Sequence, residues 1–507
     1  MLAPDYLDHA PDRLILLWQQ AEDDILRDVA RRIGKMDALT PTANWQLWRY
    51  QQTEAVRKDV VKLLARYSGK SEAEIRRLMQ EAAIAALEAE DEIYYHYGKE
   101  PTPFEESTPL QNLLNAGYRQ TAGSFSNLTA TTANTVSGAF EQALDRAWLQ
   151  VSSGAFDYKT AVKRAVDGLA DSMPYVTYPS GHRDTLEVAC RRAVLTGVNQ
   201  TGAKLQEARM DEMGASFVEV TAHGGARPSH AVWQGRRYHR GGAVDYLGQH
   251  YEDFESATGY GTGAGLCGWN CRHTFFVVFP ELGSPPAWTQ ESLEALNARN
   301  IEYDSKLYTR YEISQMQRAR ERAVRKWKRR YLAEDAAGAD TTASAVKLRQ
   351  ARQSLADFTR ATGGRVDSAR TSVHGFGRSE GSKASYAARK QERFNAANTE
   401  LQQMREAGTI KAKGRLIESP SAPNEINFAS DHVLQRWAER GMGPMDAERI
   451  IRSSKVAMSQ RNGTQTCYYS ELGFVAIEQD GNVSSIGPLD EGGKKLMEVV
   501  KKHGIPH

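Results

Sequence analysis

The sequence predicts a multidomain α+β protein whose N-terminal half is mainly α-helical. Helical periodicity dominates residues 12–213, strand-like runs then bracket a glycine-rich stretch, and further strand-like runs appear near the C-terminus. A chain of 507 residues is too long for one hydrophobic core. We predict four segments: an N-terminal helical domain (1–108), a small α+β signature domain (109–286), a basic helical arm with a flexible linker (287–408) and a C-terminal α+β domain (409–507).

Apolar residues recur at three- and four-residue steps along the N-terminal half, which is typical of amphipathic helices. This spacing predicts helices over residues 12–36, 44–67, 71–95, 110–151, 157–169 and 182–213. A near capping box at residues 71–74 predicts that a new helix begins there. Short apolar runs at 217–220 and 275–279 predict two strands, and the glycines of 241–268 predict a loop between them.

The composition excludes several classes of protein. Hydrophobic residues make up 40% of the chain and charged residues 25%, which is ordinary for a globular protein in water. Four cysteines in 507 residues do not support a disulfide scaffold and fit synthesis in a reducing cytoplasm. No run of about 18 apolar residues occurs, so we expect no transmembrane helix and no membrane partner.

The signature segment, residues 221–280, concentrates side chains that can ligate metals. It holds five of the twelve histidines and two of the four cysteines, namely His223, His230, His239, His250, His273, Cys267 and Cys271. Three interpretations are open. These groups form a hydrogen-bond cluster that satisfies the loop backbone; or Cys267, Cys271, His273 and His223 bind a structural zinc ion; or a thiolate and a histidine act in nucleophilic catalysis. The first predicts no cofactor, and the second predicts zinc.

The same segment carries blocks that resemble a known family. They are G-A-R-P-S-H at 225–230, W-Q-G at 233–235 and G-L-C-G-W-N-C-R-H at 265–273, preceded by V-L-T-G-V-N-Q-T at 194–201. Together they resemble phage minor capsid protein 2, a group related to the Mu-F-like head morphogenesis proteins, over about residues 1–389. The resemblance implies a non-enzymatic, low-copy head protein in the inner capsid or portal region of the virion. Its implied partners are the portal protein and the major capsid or scaffold proteins.

A strongly cationic helix is predicted over residues 315–331. Only Glu321 offsets its positive charges within the helix, and the cations that we single out are Arg318, Arg322, Arg325, Lys326, Lys328, Arg329 and Arg330. Like charges at these spacings repel, and a polyanion would relieve that repulsion. The helix is either a DNA-binding surface, with sequence-nonspecific and salt-sensitive contact to packaged double-stranded DNA, or a solvated face of a helical bundle.

The C-terminal domain is predicted to contain two helices followed by a four-stranded meander. His432, Arg436 and Arg440 recur at four-residue steps and therefore share one face of the first helix. This helix and the meander resemble RelE/colicin-like ribonuclease toxin domains. The resemblance implies a metal-independent ribonuclease, with His432 as general acid or base and both arginines holding the RNA phosphate. The alternatives are therefore a minor capsid protein with an inert tail and a phage-borne toxin that cleaves RNA, so the sequence leaves open whether this domain is an enzyme.

Overall fold

The computed structural model describes residues 2–35, 42–172, 175–178, 181–410, 413–418, 420, 426–428 and 431–505. Contacts divide the chain into two compact units, Met1–Ser379 and Glu380–His507. Long helices dominate the first unit, and short antiparallel sheets occur in both. The predicted multidomain α+β fold is therefore confirmed.

The first unit is built from helices that pack around a shared core. These helices are α1 (Pro4–His9), α2 (Asp12–Gly34), α3 (Thr42–His96), α4 (Thr108–Ser152), α5 (Tyr158–Ser172), α6 (Leu186–Met213), α7 (Pro228–Ala231), α8 (Phe254–Thr258), α9 (Gln290–Asn297), α10 (Arg310–Ala336), α11 (Thr342–Thr362) and α12 (Ser368–Thr371). Its main hydrophobic core takes residues from α1 through α6 and from the end of α10. No helix in the described ranges is long and apolar enough to cross a membrane.

Helix α3 joins two helices that the sequence predicts separately. It runs unbroken for 55 residues, so the predicted start at residues 71–74 is wrong. Ser71 lies fully buried inside the helix, where its hydroxyl donates a hydrogen bond to the carbonyl of Tyr67 at 2.8 Å. A serine that bonds back to the preceding turn leaves the helical backbone intact, so it does not act as a cap here.

Short strands in the first unit form one three-stranded sheet and three hairpins. The strands are β1 (Tyr175–Thr177), β2 (Arg183–Thr185), β3 (Phe217–Val220), β4 (Arg237–His239), β5 (Val244–Tyr246), β6 (Gln249–Tyr251), β7 (Phe275–Val277), β8 (Ile301–Tyr303) and β9 (Lys306–Tyr308). The sheet has the order β4-β3-β7 and is antiparallel, so the two predicted strands β3 and β7 are neighbours. The stretch predicted as a loop between them contains the β5–β6 hairpin and α8, which the glycine-rich sequence did not predict.

The second unit is an antiparallel sheet covered on both faces. Its helices are α13 (Arg378–Glu406), α14 (Asp431–Glu439), α15 (Pro444–Ser453) and α16 (Glu491–Lys502), and its sheet has the order β10 (Arg415–Glu418), β11 (Val456–Gln460), β12 (Gln465–Ser470), β13 (Gly473–Glu478), β14 (Val483–Gly487). The two helices and four-stranded meander match the prediction. Strand β10 and helix α16 were not predicted.

Side chains that alternate along the strands of this sheet contribute to two hydrophobic cores, one on each face. Cys467 and Tyr469 of β12 pack with residues of α13 and α16, whereas Tyr468 packs with residues of α14 and α15. Successive side chains of a strand point to opposite faces, so each face has its own hydrophobic layer. Both tyrosines are buried and therefore do not offer a surface on which an RNA base could stack.

The two units differ from the four predicted segments. The core of the first unit reaches from residue 2 to residue 337 and so draws on the predicted helical domain, the signature domain and the basic arm. The arm is not separate because α10 packs along α2, α5 and α11.

Candidate metal centre and arginine-lined cavity

The signature segment folds into a tight loop that places Cys271 and His273 side by side. Cys267 and Asn270 both adopt left-handed backbone conformations, with φ of 56° and 54°, and the amide of Cys271 bonds to the carbonyl of Gly268 at 3.1 Å. The chain then leads through residues 272–274 into β7. The Nδ1 atom of His273 lies 3.6 Å from the sulfur of Cys271, so the two side chains point the same way.

A side-chain amide of α6 holds the backbone of this pair. The Nδ2 atom of Asn199 donates hydrogen bonds to the carbonyl oxygens of Cys271 and His273, both at 3.0 Å. All three residues are buried, so these bonds form away from water. The family-like block at residues 194–201 therefore positions the block at 265–273.

A third residue, His230 of α7, completes a buried cluster. Its Nδ1 atom lies 3.7 Å from the sulfur of Cys271, and the Nδ1 atom of His273 lies 3.6 Å from the same sulfur. One potential ligand atom from each of the three residues lies within 4.8 Å of the others. The side chains are therefore close enough to bind one metal ion together.

This set overlaps with the predicted zinc ligands but is not identical to them. Cys271 and His273 are members of both sets, and His230 takes the place of the other two predicted ligands. The thiol of Cys267 is directed at the carbonyl of His273 at 3.6 Å, and Nδ1 of His223 lies 3.2 Å from the carbonyl of Gly224. Sequence spacing could not select His230, because only the fold brings α7 beside the loop.

The burial of the cluster keeps its histidines neutral. Burial lowers the pKa of His230 to about 4, and burial followed by the charge of Arg272 lowers the pKa of His223 to about 4. Burial also lowers the pKa of His273 well below its ordinary value, and burial raises the pKa of the Cys271 thiol. Neutral imidazole is the form that ligates a metal or takes part in a neutral hydrogen-bond cluster.

Beside the cluster lies a cavity of about 760 Å³ that carries an excess of positive charge. Both His230 and His273 line it. Its wall also contains nine arginine and lysine side chains against six carboxylates, and the cations are Arg191, Arg227, Arg272, Arg318, Arg322, Arg325, Lys326, Arg329 and Arg370. A concave, basic wall favours anions.

Asp8 is the carboxylate around which part of this wall is organised. It lies 2.5 Å from Arg191, 3.4 Å from Arg272 and 3.6 Å from Arg370. Burial alone would raise the pKa of Asp8, but these arginines, together with Arg318, hold it below its ordinary value. Asp12, at 4.0 Å from Arg191, and Asp367, at 3.1 Å from Arg370, add further compensation on this wall.

Arg318 is a cation of the cavity that Asp8 compensates only at a distance. No hydrogen bond or ion pair reaches it from the part of the chain that the structure describes. Burial, followed by the charges of Arg370 and Arg191, lowers its pKa to about 10. A bound anion would relieve this repulsion.

The other cations of the predicted basic helix are mostly engaged inside the fold. Ion pairs join Arg325 to Glu187, Lys326 to Asp171, Arg330 to Asp167, and Arg329 to both Glu22 and Asp23, while Lys328 donates to the carbonyl of Thr371. These carboxylates come from α2, α5 and α6. Arg322 is exposed at the cavity and lacks such a pair among the described residues. Of the seven cations in the predicted DNA-binding set, Arg318 and Arg322 have no hydrogen bond or ion pair among the described residues, and DNA binding by the set stays a prediction.

The predicted ribonuclease residues lie on α14 and just after it. Arg440 is exposed, and its Nη1 atom donates to the carbonyl of Ile486 at 2.9 Å. The side chains of His432 and Arg436 lie outside the part of the chain that the structure describes. Their assignment to catalysis stays a prediction.

Comparison with protein families gives a match that spans most of the chain. The model of the family described as phage minor capsid protein 2 matches residues 2–360. The chain belongs to this family. A comparison with curated proteins and another with solved structures gave no match. Membership confirms the resemblance carried by the signature blocks, and it fits a location in the virion and contact with other virion proteins.

Proposed function

We propose that this phage minor capsid protein is a non-enzymatic head protein that docks on the portal or the inner capsid through one end of its longest helical hairpin. Helices α3 and α4 run antiparallel, as shown by the ion pair of Arg49 with Asp145 at one end and the hydrogen bond of Tyr118 to Glu72 further along. The start of α3 and the end of α4 therefore meet at one end of the hairpin.

That end carries the apolar tip, defined here as Trp45, Trp48, Trp148 and the exposed residues Leu47, Tyr50 and Leu149. Trp45 stacks on Trp48 with ring centroids 5.3 Å apart and on Trp148 at 6.2 Å. Leu47 and Leu149 are each 60% exposed and Tyr50 is 64% exposed. Leu47 and Tyr50 lie one helical turn apart and thus share a face.

The apolar tip is the observation that carries the proposal. Large apolar side chains grouped on a rigid, tryptophan-braced surface are the composition found at the centres of protein interfaces. Arg49, which directly follows Trp48, is held by Asp145 at 2.6 Å, so the surface is preorganised before it meets a partner. A head protein of low copy number needs such a surface to bind the portal or the capsid shell.

The test of docking is incorporation into heads. A variant with Leu47→Glu, Tyr50→Glu and Leu149→Glu is supplied to phage that lack the wild-type gene, and its copies per purified head are counted by quantitative mass spectrometry. We expect at least a tenfold loss of incorporation, with an unchanged circular dichroism spectrum because the three side chains are exposed. Leu307→Glu, at a site 55% exposed on β9, is the matched control and should be incorporated normally. Incorporation of the tip variant at the wild-type level would contradict the proposal.

A second activity, nonspecific contact with packaged DNA, is favoured by the uncompensated charge at the cavity. We expect Arg318→Ala and Arg322→Ala each to reduce the slope of log affinity against log salt for random duplex DNA by about 0.9. Lys326→Ala is the control, because Lys326 is already paired with Asp171 at 3.0 Å. Equal losses in all three variants would show that ion pairing inside the fold does not select the DNA-binding cations.

A further inference from the structure

The buried cluster in the signature segment carries an inference that does not depend on docking or on DNA contact. We propose that Cys271, His230 and His273 bind one divalent metal ion, zinc, with the fourth coordination position filled by water or a small anion from the cavity. The cysteine contributes its sulfur and each histidine its Nδ1 atom.

The two sulfur–nitrogen distances in the cluster are those of a tetrahedral zinc site. Zinc lies about 2.3 Å from a thiolate sulfur and about 2.0–2.1 Å from an imidazole nitrogen, so tetrahedral angles place the sulfur and nitrogen about 3.6 Å apart. The sulfur of Cys271 lies 3.7 Å from Nδ1 of His230 and 3.6 Å from Nδ1 of His273. Both pairs therefore have the separation that a shared metal ion requires, and the three ligand atoms all lie within 4.8 Å of one another.

The remaining ring nitrogens fix which atom of each histidine is free to ligate. Nε2 of His230 lies 2.9 Å from the carbonyl of Ala264, and Nε2 of His273 lies 2.9 Å from Oε1 of Gln234. The amide of His223 also donates to Oε1 of Gln234 at 3.1 Å, which identifies that atom as the acceptor oxygen. Both Nε2 atoms therefore carry a proton, and both Nδ1 atoms present a lone pair toward Cys271. Such outer hydrogen bonds are typical of metal-bound histidines.

Hydrogen bonding alone does not satisfy this arrangement. One thiol has one proton, so Cys271 can donate to His230 or to His273 but not to both. The second Nδ1 would remain a buried acceptor without a donor, which is unfavourable. A zinc ion satisfies both nitrogens and the sulfur at once, and the thiol proton is released to solvent when the Zn–S bond forms.

The choice of metal and the open position follow from the ligand types. One thiolate and two imidazoles are ligands that favour zinc over magnesium or calcium, which prefer oxygen. Three side-chain ligands leave one position of a tetrahedron for an exogenous group. Since His230 and His273 also line the arginine-lined cavity, that position is reached from the cavity side.

The experiment measures metal bound to the purified full-length chain and to four variants. Elemental analysis after dialysis against buffer without chelator should give about one zinc per chain for the wild type. Cys271→Ser and His230→Ala should retain less than a fifth of that amount. Cys267→Ala and His223→Ala are the matched controls, one for the neighbouring thiol and one for the imidazole stacked 4.3 Å from His273, and both should retain zinc.

Cobalt substitution gives a readout that does not depend on the folding of any variant. Co²⁺ added to the wild-type chain stripped of metal should produce the visible absorption bands of a tetrahedral ion and a thiolate-to-metal charge-transfer band, and zinc should displace both. Absence of zinc together with absence of these bands would overturn the proposal. Loss of metal from Cys267→Ala or His223→Ala to the same extent as from Cys271→Ser would overturn the assigned ligand set.

Discussion

Replacing Arg329 with alanine tests whether the basic helix is a structural element of the first unit. Arg329 contacts both Glu22 and Asp23, and these two carboxylates are each 1% exposed. Removing one partner of a buried ion pair costs about 3–5 kcal/mol, because the opposite charge is left uncompensated. Two features limit the cost: Asp23 keeps a hydrogen bond from the amide of His374 at 2.7 Å, and Glu22, whose pKa is already raised by burial, can take up a proton. We therefore expect a loss of about 3 kcal/mol.

Urea unfolding followed by tryptophan fluorescence is the appropriate assay. Eight of the nine tryptophans lie in Met1–Ser379, so the signal reports mainly on that unit. Arg322→Ala is the control, and because Arg322 is exposed its loss should change the free energy of unfolding by less than about 0.5 kcal/mol. Combining Glu22→Gln with Arg329→Ala should recover part of the lost stability. If Arg329→Ala left stability unchanged and weakened DNA binding more than Arg322→Ala does, the structural role would be refuted.

Four further predictions concern other parts of the chain. Asn199→Ala should lower the free energy of unfolding in urea by about 2–4 kcal/mol, because two buried carbonyls lose their donor. An unchanged urea midpoint would show that these two hydrogen bonds do not stabilise the fold. Because the pKa of Asp8 is lowered in the folded state, its ionised form stabilises the fold fully above about pH 4, and this contribution is lost as the pH falls further. Asp8→Asn should therefore flatten the dependence of unfolding free energy on pH below about pH 4. The same dependence in wild type and variant would contradict this role of Asp8. Fragment 380–507 should unfold cooperatively by circular dichroism, whereas 410–507 should not, since it lacks the residues of α13 that complete one core. If that tail is a ribonuclease, fragment 380–507 should cleave RNA and His432→Ala should abolish cleavage; absence of cleavage above background would remove the toxin alternative.

The fold was predictable where local patterns decide it. The helical spacing of the N-terminal half and the alternation in the C-terminal meander both led to elements that the structure contains. The break predicted at Ser71 failed because a capping sequence also fits inside a helix when the serine bonds to the preceding turn. Strand β10 escaped prediction since its pairing with β11 joins residues about forty positions apart.

The candidate sites were predictable only in part, because their completion depends on contacts between distant residues. The charge of the basic helix looked unbalanced in sequence, yet the carboxylate of Asp23 that neutralises Arg329 lies 306 residues away. The sequence predicted two of the three cluster residues, Cys271 and His273. The third member, His230, lies 41 residues before Cys271, and only the packing of α7 against the loop identifies it.

The central claim is that this minor capsid protein is a component of the phage head, and its presence in assembled particles is the most direct test. Quantitative mass spectrometry of purified virions and empty heads should detect the chain at a copy number far below that of the major capsid protein. Its absence from both kinds of particle, with the chain present in the infected-cell lysate, would contradict the account.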